Sequence, residues 1–515
     1  MIHALNSLYF PTAFENAVLF HLQRTMDRRV LKEKVSFPKT KKPHLVGRVY
    51  REKRKSSSEK RIFDQASRIN NVDKLCEERY SRDYSWMARN PIRELLMNKL
   101  PVMLKNKPFY HGYLPKLDAE EILKNQENGS FIVRMTNECG DYCAVALSIK
   151  HEEKVVHYMI DVNINGRCFI NSLMFNSVSE MVNYYVKSGQ PIDKTSNVRL
   201  KRPARFVEWQ LESHHIVNLE KNINIGKDSD VIRGVFLYKG KNADVAIKIP
   251  LNSIQTDSTN ILFDELRAMR QLKCNYTLKA YGIASFTCRP LLVTEYADRG
   301  TLHDYIRTHS VSVHEKLRYS RQIMSALKYL KDKNLIHRNI VAKKCFLFTS
   351  PEFELPTVKL GGFRYCISAS EKDVKKVPRK LLCCCPPEAI KCNKWFFESD
   401  LWMSSMLMWS IFTGYMYPFR EFVDEDPMNL YYYLLKGQRL PMSTDLLPDV
   451  QLIISQCQAT NPSDRGTIEM ALQRLTTNDR VEKYLSKQEE EEDDDDEEAI
   501  WKLKPDTGHP ISVLC

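Results

Sequence analysis

His337-Arg338-Asn339-Ile340-Val341-Ala342-Lys343-Lys344-Cys345-Phe346-Leu347 is the stretch on which the reading of this chain turns. It carries an imidazole, a guanidinium, a neutral amide and two ammonium groups, and no carboxylate. An amide at Asn339 cannot take up a proton as a carboxylate base does. An ammonium at Lys344 offers hydrogen-bond donors but no lone pair to a metal ion. Asn339 therefore supplies no general base, and Lys344 no metal ligand.

Composition bounds the answer from outside that loop. A chain of 515 residues has room for two or three domains, each with its own core. With 43% hydrophobic and 27% charged residues it reads as a globular protein. No apolar run approaches the roughly 18 residues that span a bilayer. The first twenty residues lack the charged, apolar and small-residue zones of a secretory leader, so a cytoplasmic protein is expected. Its 14 cysteines then count as thiols, and Cys383-Cys384-Cys385 has no zinc-ligand spacing. The net charge of +13 is uneven. Between Arg24 and Arg61 there are 15 Lys and Arg against 4 Asp and Glu, whereas Glu489–Glu498 is an unbroken acidic run. The basic arm reads as a solvated charge run open to peripheral membrane contact; no specific nucleic-acid partner is implied.

Working outward, four regions emerge: a basic N-terminal region over 1–106 with a helix expected at Pro91–Leu100, a mixed segment over 107–203, a larger one over 213–478, and an acidic tail over 479–515. The last is expected to be disordered, and the first partly so. In the first mixed segment a helix is expected at Asp118–Asn125. Asp118 would be its N-cap, and Glu121 would complete a capping box. Phe131-Ile132-Val133 is apolar and β-branched, as in a buried strand, and Arg134 ends that run. A guanidinium there is costly unless an anion pairs with it.

Phe109-Tyr110-His111-Gly112, Gly129-Ser130-Phe131-Ile132-Val133-Arg134, Val156–Ile160 and Val178–Tyr185 together resemble a Src-homology-2 (SH2) domain. The resemblance implies a central antiparallel sheet flanked by two helices, binding phosphotyrosine. Arg134 would form the bidentate pair with the phosphate. Lys116, Thr136 and His157 fall at further phosphate-contacting positions. The sequence departs from the family in Met135-Thr136 and in Phe109, which stands for a tryptophan.

The segment 213–478 resembles a tyrosine-kinase domain, and its lead-in at Trp209, Leu211 and His215 looks most like the Fes/Fer group. The fold expected is therefore an α+β multidomain chain, an SH2 domain followed by a bilobal kinase-like fold. By resemblance, ATP is the candidate cofactor. It would lie against Gly226, Val231, Ala246, Lys248, Glu265, Thr294, Glu295 and Ala297. Lys248 would reach the phosphates with Glu265 holding it, Thr294 would be the gatekeeper, and Glu295–Ala297 would meet adenine. The phosphate loop is shortened, and Asp228, Ser229 and Asp230 replace glycines. Two carboxylates there would repel phosphate, and the missing glycines would hinder its close approach to the backbone. In kinases the loop aspartate is the base, while the asparagine five residues on and the aspartate of DFG hold Mg²⁺. Here those positions are Asn339, Lys344 and Gly362, the last within Val358–Arg364 (VKLGGFR). Glu388, Asp400 and Arg465, which brace the large lobe, are retained. No intact catalytic residue is expected, no metal site, and no Mg²⁺. Lys344 could act as a fixed cation for phosphate or form an internal salt bridge. The reading is a phosphotyrosine-binding signalling protein whose kinase-like domain is inactive and serves as scaffold or allosteric partner of an active kinase. The alternative is an atypical non-receptor tyrosine kinase with weak transfer.

Overall fold

The computed structural model describes residues 100–477 apart from 101, 102, 105, 138–143, 164, 194, 213, 214, 218–221, 226–228, 239, 240, 251–257, 286–289, 351–354, 372, 373, 416 and 443–445. The basic arm, the expected helix at 91–100 save Leu100, Gly226 and Asp228, and the acidic run lie outside the described residues.

The first module begins with β1 (Tyr110–Tyr113), α1 (Lys116–Lys124) and β2 (Ser130–Thr136). All seven residues of β2 are buried, Arg134 included, so the guanidinium that follows the apolar run lies inside a buried strand. β3 (Ala144–His151), β4 (Lys154–Val162), β5 (Cys168–Ile170), β6 (Leu173–Phe175), α2 (Val178–Ser188) and β7 (Arg202–Pro203) complete the module. The sheet runs β1-β2-β3-β4-β5-β6 and is antiparallel from β2 onward. β1 and β7 join β2 in parallel. α1 packs on β2, β3 and β4, and α2 on β5 and β6. The Ser177 hydroxyl accepts from the Glu180 amide at 3.1 Å, and Gly189 closes the helix in the left-handed region.

The capping expectation for α1 fails. Its N-cap is Pro115, with no side-chain cap, three residues before the cap expected at Asp118. Asp118 is 1% exposed and faces the second module instead.

That module opens with β8 (Gln210–Leu211), β9 (Ile216–Val217), β10 (Asn222–Ile225), β11 (Ser229–Tyr238), β12 (Lys241–Pro250), α3 (Ser258–Met269), β13 (Ala280–Ala284) and β14 (Leu291–Glu295). The sheet order is β10-β11-β12-β14-β13-β8, and α3 lies on it. The second lobe is largely helical. It holds α4 (Leu302–Thr308), α5 (Val313–Asp332), β15 (Leu335–Ile336), β16 (Cys345–Phe348), β17 (Thr357–Leu360) and β18 (Ile367–Ser368). Then follow α6 (Pro387–Cys392), α7 (Phe397–Thr413), α8 (Pro427–Leu435), α9 (Pro448–Cys457) and α10 (Ile468–Thr477). α7 is apolar around nearly its whole circumference and is therefore the buried axis of the lobe. Pairing of Cys345 with Leu360 sets the loop ending at Lys344 against the one starting at Gly361.

The two modules touch through α1 and α3. Arg267 binds Asp118 through Nε and one Nη, at 3.0 and 2.9 Å, and Arg270 pairs with Glu121. The Tyr113 hydroxyl donates to Asn260 at 2.9 Å. Gly112, at φ +67°, comes so close to the Ser285 carbonyl that any Cβ would collide with it, so only glycine fits this junction.

Candidate phosphate pocket and interlobe cleft

The pocket of the first module is built from alternate residues of neighbouring strands. Arg134 and Thr136 are two apart on β2 and so share a face. Arg134 is fully buried; its Nε donates to the Ser148 hydroxyl and an Nη to the Leu114 carbonyl, both at 2.9 Å. Ser148 stands opposite His157 in the ladder, and their hydroxyl and Nδ1 are 2.8 Å apart. The His157 Nε2 lies 3.2 Å from Glu120 on α1, and Lys116 is 3.9 Å from the same carboxylate. Burial first, and then the Arg134 charge, hold His157 below the usual histidine range. Arg134, Lys116 and His157 are thus linked in one polar chain, with Thr136 buried on the same strand face. Reading the sequence missed Ser148 and Glu120. Ser148 carries no periodic signal in a strand buried along all but its last residue, and Glu120 reads as an ordinary helix surface residue.

The cleft face of the small lobe follows from register. Val231 stands opposite Lys248, and Ala246 opposite Thr294, while Ala246 and Lys248 are two apart. These four side chains share one face. Lys248 meets Glu265 of α3 at 2.5 Å. Glu295 ends β14, with Ala297 just beyond. Asp230 is one residue out of phase and fully buried on the opposite face with Ile232, so the phosphate repulsion expected from its carboxylate does not arise within the cleft.

Across the cleft, the His337 and Arg338 amides donate to the two Asp400 oxygens at 2.6 and 2.8 Å. Burial pushes the Asp400 carboxyl up to about 7, against those backbone bonds. The clamp holds Arg338 at φ +65°, a costly conformation for a non-glycine residue. Its guanidinium bonds the carbonyls of Tyr365 and Lys375, at 3.2 and 2.6 Å. Phe363 is buried edge-on to His337 at 4.8 Å. Deeper in the lobe Arg465 holds Glu388 bidentately at 2.7 and 2.8 Å.

The altered positions form one unit. Asn339 Nδ2 donates to the Gly362 carbonyl at 2.9 Å, a bond that an ionised carboxylate could not make. Gly362 is left-handed at φ +79°, and a Cβ there would lie 2.7 Å from Lys344 Cδ and 2.9 Å from its Cγ. The Lys344 stem therefore fills the space a side chain at 362 would need. Burial alone would push the Glu265 carboxyl up, but Lys248, and then Lys344 and Arg364, hold it below its ordinary value. In the sequence Arg364 only closes the run Val358–Arg364; its influence on this carboxylate is a property of the fold.

A two-lobed body with a Lys–Glu pair across its small lobe, preceded by a sheet-and-helix module with a buried arginine, defines a protein-kinase fold joined to an anion-reading domain. The family model for protein tyrosine and serine/threonine kinases matches residues 217–475, and that for the SH2 domain matches residues 109–185. The first match covers half of the chain, which belongs to the protein tyrosine and serine/threonine kinase family and carries an SH2 domain ahead of its kinase domain. The chain is 25% identical to Fer-related kinase 1 of Caenorhabditis elegans over 376 residues, 72% of this chain and 94% of that protein. It is 26% identical to the Abl transforming protein of Abelson murine leukemia virus, over 75% of this chain and 52% of that protein. With mouse Fer it shares 24% identity, covering 70% and 42% respectively. Among the described residues no helix is long and apolar enough to cross a membrane.

Proposed function

We propose that this chain is a cytoplasmic signalling protein that binds tyrosine-phosphorylated partners through its SH2 domain, and whose kinase domain does not transfer phosphate but acts as scaffold or allosteric partner of an active kinase. The domains span 107–203 and 213–478 in this reading. Arg134, Lys116, Thr136 and His157 receive the phosphotyrosine. Val231, Ala246, Lys248, Glu265, Thr294, Glu295 and Ala297, with Gly226, form the nucleotide site. The observation that carries the inactivity is the hydrogen bond from Asn339 to Gly362, beside a Lys344 side chain lying where a metal-binding carboxylate would project. The donor set does not suit Mg²⁺, which needs oxygen ligands. Asn339 spends its donor on a carbonyl, Gly362 has no side chain, and Lys344 is a cation. Without base or metal ligands, the charge neutralisation that drives phosphoryl transfer is missing.

A second reading, weak atypical tyrosine kinase activity, is favoured by the framework. The 2.5 Å Lys248–Glu265 pair, the Asp400 clamp and Phe363 against His337 are all in place. One assay separates the two. Full-length protein with ATP, Mg²⁺ or Mn²⁺ and a poly-Glu/Tyr substrate is expected to give no phosphotyrosine above a Lys248→Met control. Signal clearly above that control sinks the inactive reading and establishes the second.

A further inference from the structure

At the three positions that serve chemistry in kinases, two carboxylates have gone and one ammonium has been gained. The structure shows where that ammonium went. Gly361 N donates to the Lys344 carbonyl at 2.8 Å, which locks the backbone of Lys344 to the strand end preceding Gly362. The side chain then runs through the volume vacated at Gly362 and into the cleft. Among the described residues, no carboxylate lies in ion-pair range of the Lys344 ammonium. Glu265, whose charge Lys344 also favours, makes its direct ion pair with Lys248. A salt bridge inside an empty cleft, the simpler role open to Lys344, is therefore not formed with any described residue. Burial, and next the neighbouring Lys248, pull the Lys344 ammonium below the ordinary lysine range, against the opposing charge of Glu265. Arg364, stacked over Tyr365 at 5.4 Å, adds a third cation whose field reaches Glu265.

Like charges crowded in a partly buried site are costly unless an anion lies between them. A metal-bound triphosphate is a poor match, because its cation would meet Lys344 and find no ligand. A bare triphosphate is a good one, because its oxygens can accept from both ammonium groups as charge-assisted hydrogen bonds. We infer that the interlobe cleft is a metal-independent nucleotide site, in which Lys344 takes the place of magnesium and, with Lys248, binds the free triphosphate of ATP. This deepens the assignment of Lys248 to the phosphates and is independent of whether any transfer occurs.

The test is thermal stabilisation and calorimetric titration of the full-length chain, with no acceptor peptide, by ATP in EDTA and in excess Mg²⁺. ATP is expected to stabilise the protein in EDTA, and Mg²⁺ to weaken that effect. Lys344→Met should lower the affinity in EDTA by about tenfold, as loss of one charged hydrogen bond implies. Lys344→Arg, which keeps the charge, should retain most of it. Binding that appears only with Mg²⁺, binding unchanged in Lys344→Met, or no binding in either condition overturns the inference. Tripolyphosphate binding as tightly as ATP overturns the nucleotide assignment. Failure of the inactive-kinase reading would register separately, as phosphotyrosine in the transfer assay.

Discussion

The SH2 pocket and the interlobe cleft both gather cations, but they hold them by opposite means. In the pocket, the buried Arg134 is wired to neutral acceptors, Ser148 and the Leu114 carbonyl, and the polar chain ends on a carboxylate, Glu120. In the cleft, Lys344 is set in place by sterics, lying in the gap at Gly362, and has no described carboxylate in ion-pair range. The comparison teaches that the sign of the charge does not define a phosphate site. The pocket is pre-organised by hydrogen bonds and gated by its own acid. In the proposed reading, the cleft is a metal site converted into a cation site by exchange of side chains.

The largest effect that would break this contrast lies in the pocket. Arg134→Leu should weaken capture of phosphotyrosine peptides by about 100-fold, roughly 2.7 kcal/mol, as expected for loss of a buried bidentate contact. Titration of a phosphopeptide into the full chain measures it, and unchanged affinity defeats the pocket assignment. In the cleft, Gly362→Ala should lower the unfolding free energy by about 1–3 kcal/mol, because the left-handed φ and the Lys344 stem both oppose a Cβ. Adding Lys344→Ala should return the steric part. Urea denaturation of the single and double variants reads this, and strict additivity would show that the two residues do not share that space. The smallest effect sharpens the pocket. Glu120→Gln removes the carboxylate that a phosphate must displace from His157, and should raise phosphopeptide affinity by about threefold to tenfold. A fall in affinity would instead mean that Glu120 holds the pocket in shape.

Much of this was legible from local pattern. The Lys248–Glu265 pair and the Glu388–Arg465 brace each sit in a recognisable run of residues, and each is found paired. The altered positions Asn339, Lys344 and Gly362 were legible too, since chemistry alone says what an amide or an ammonium cannot do. Their cooperation was not, because it depends on two loops brought together by the pairing of β16 with β17. Asp230 shows the same limit. As a letter it placed a carboxylate beside phosphate; the one-residue alternation of β11 turned it to the other face.

Sequence alone thus determined the two modules, their family resemblance and the identities of Asn339, Lys344 and Gly362, because those rest on residue identity and short-range periodicity. Tertiary structure decided what the released side chains do. Asp118, a capping residue by sequence spacing, is buried against Arg267 of α3 because the junction of the modules offers its carboxylate a bidentate partner that the helix end does not. Lys344 points into the cleft because only the absence of a Cβ at Gly362 leaves room for its stem, a vacancy that no linear pattern of residues records.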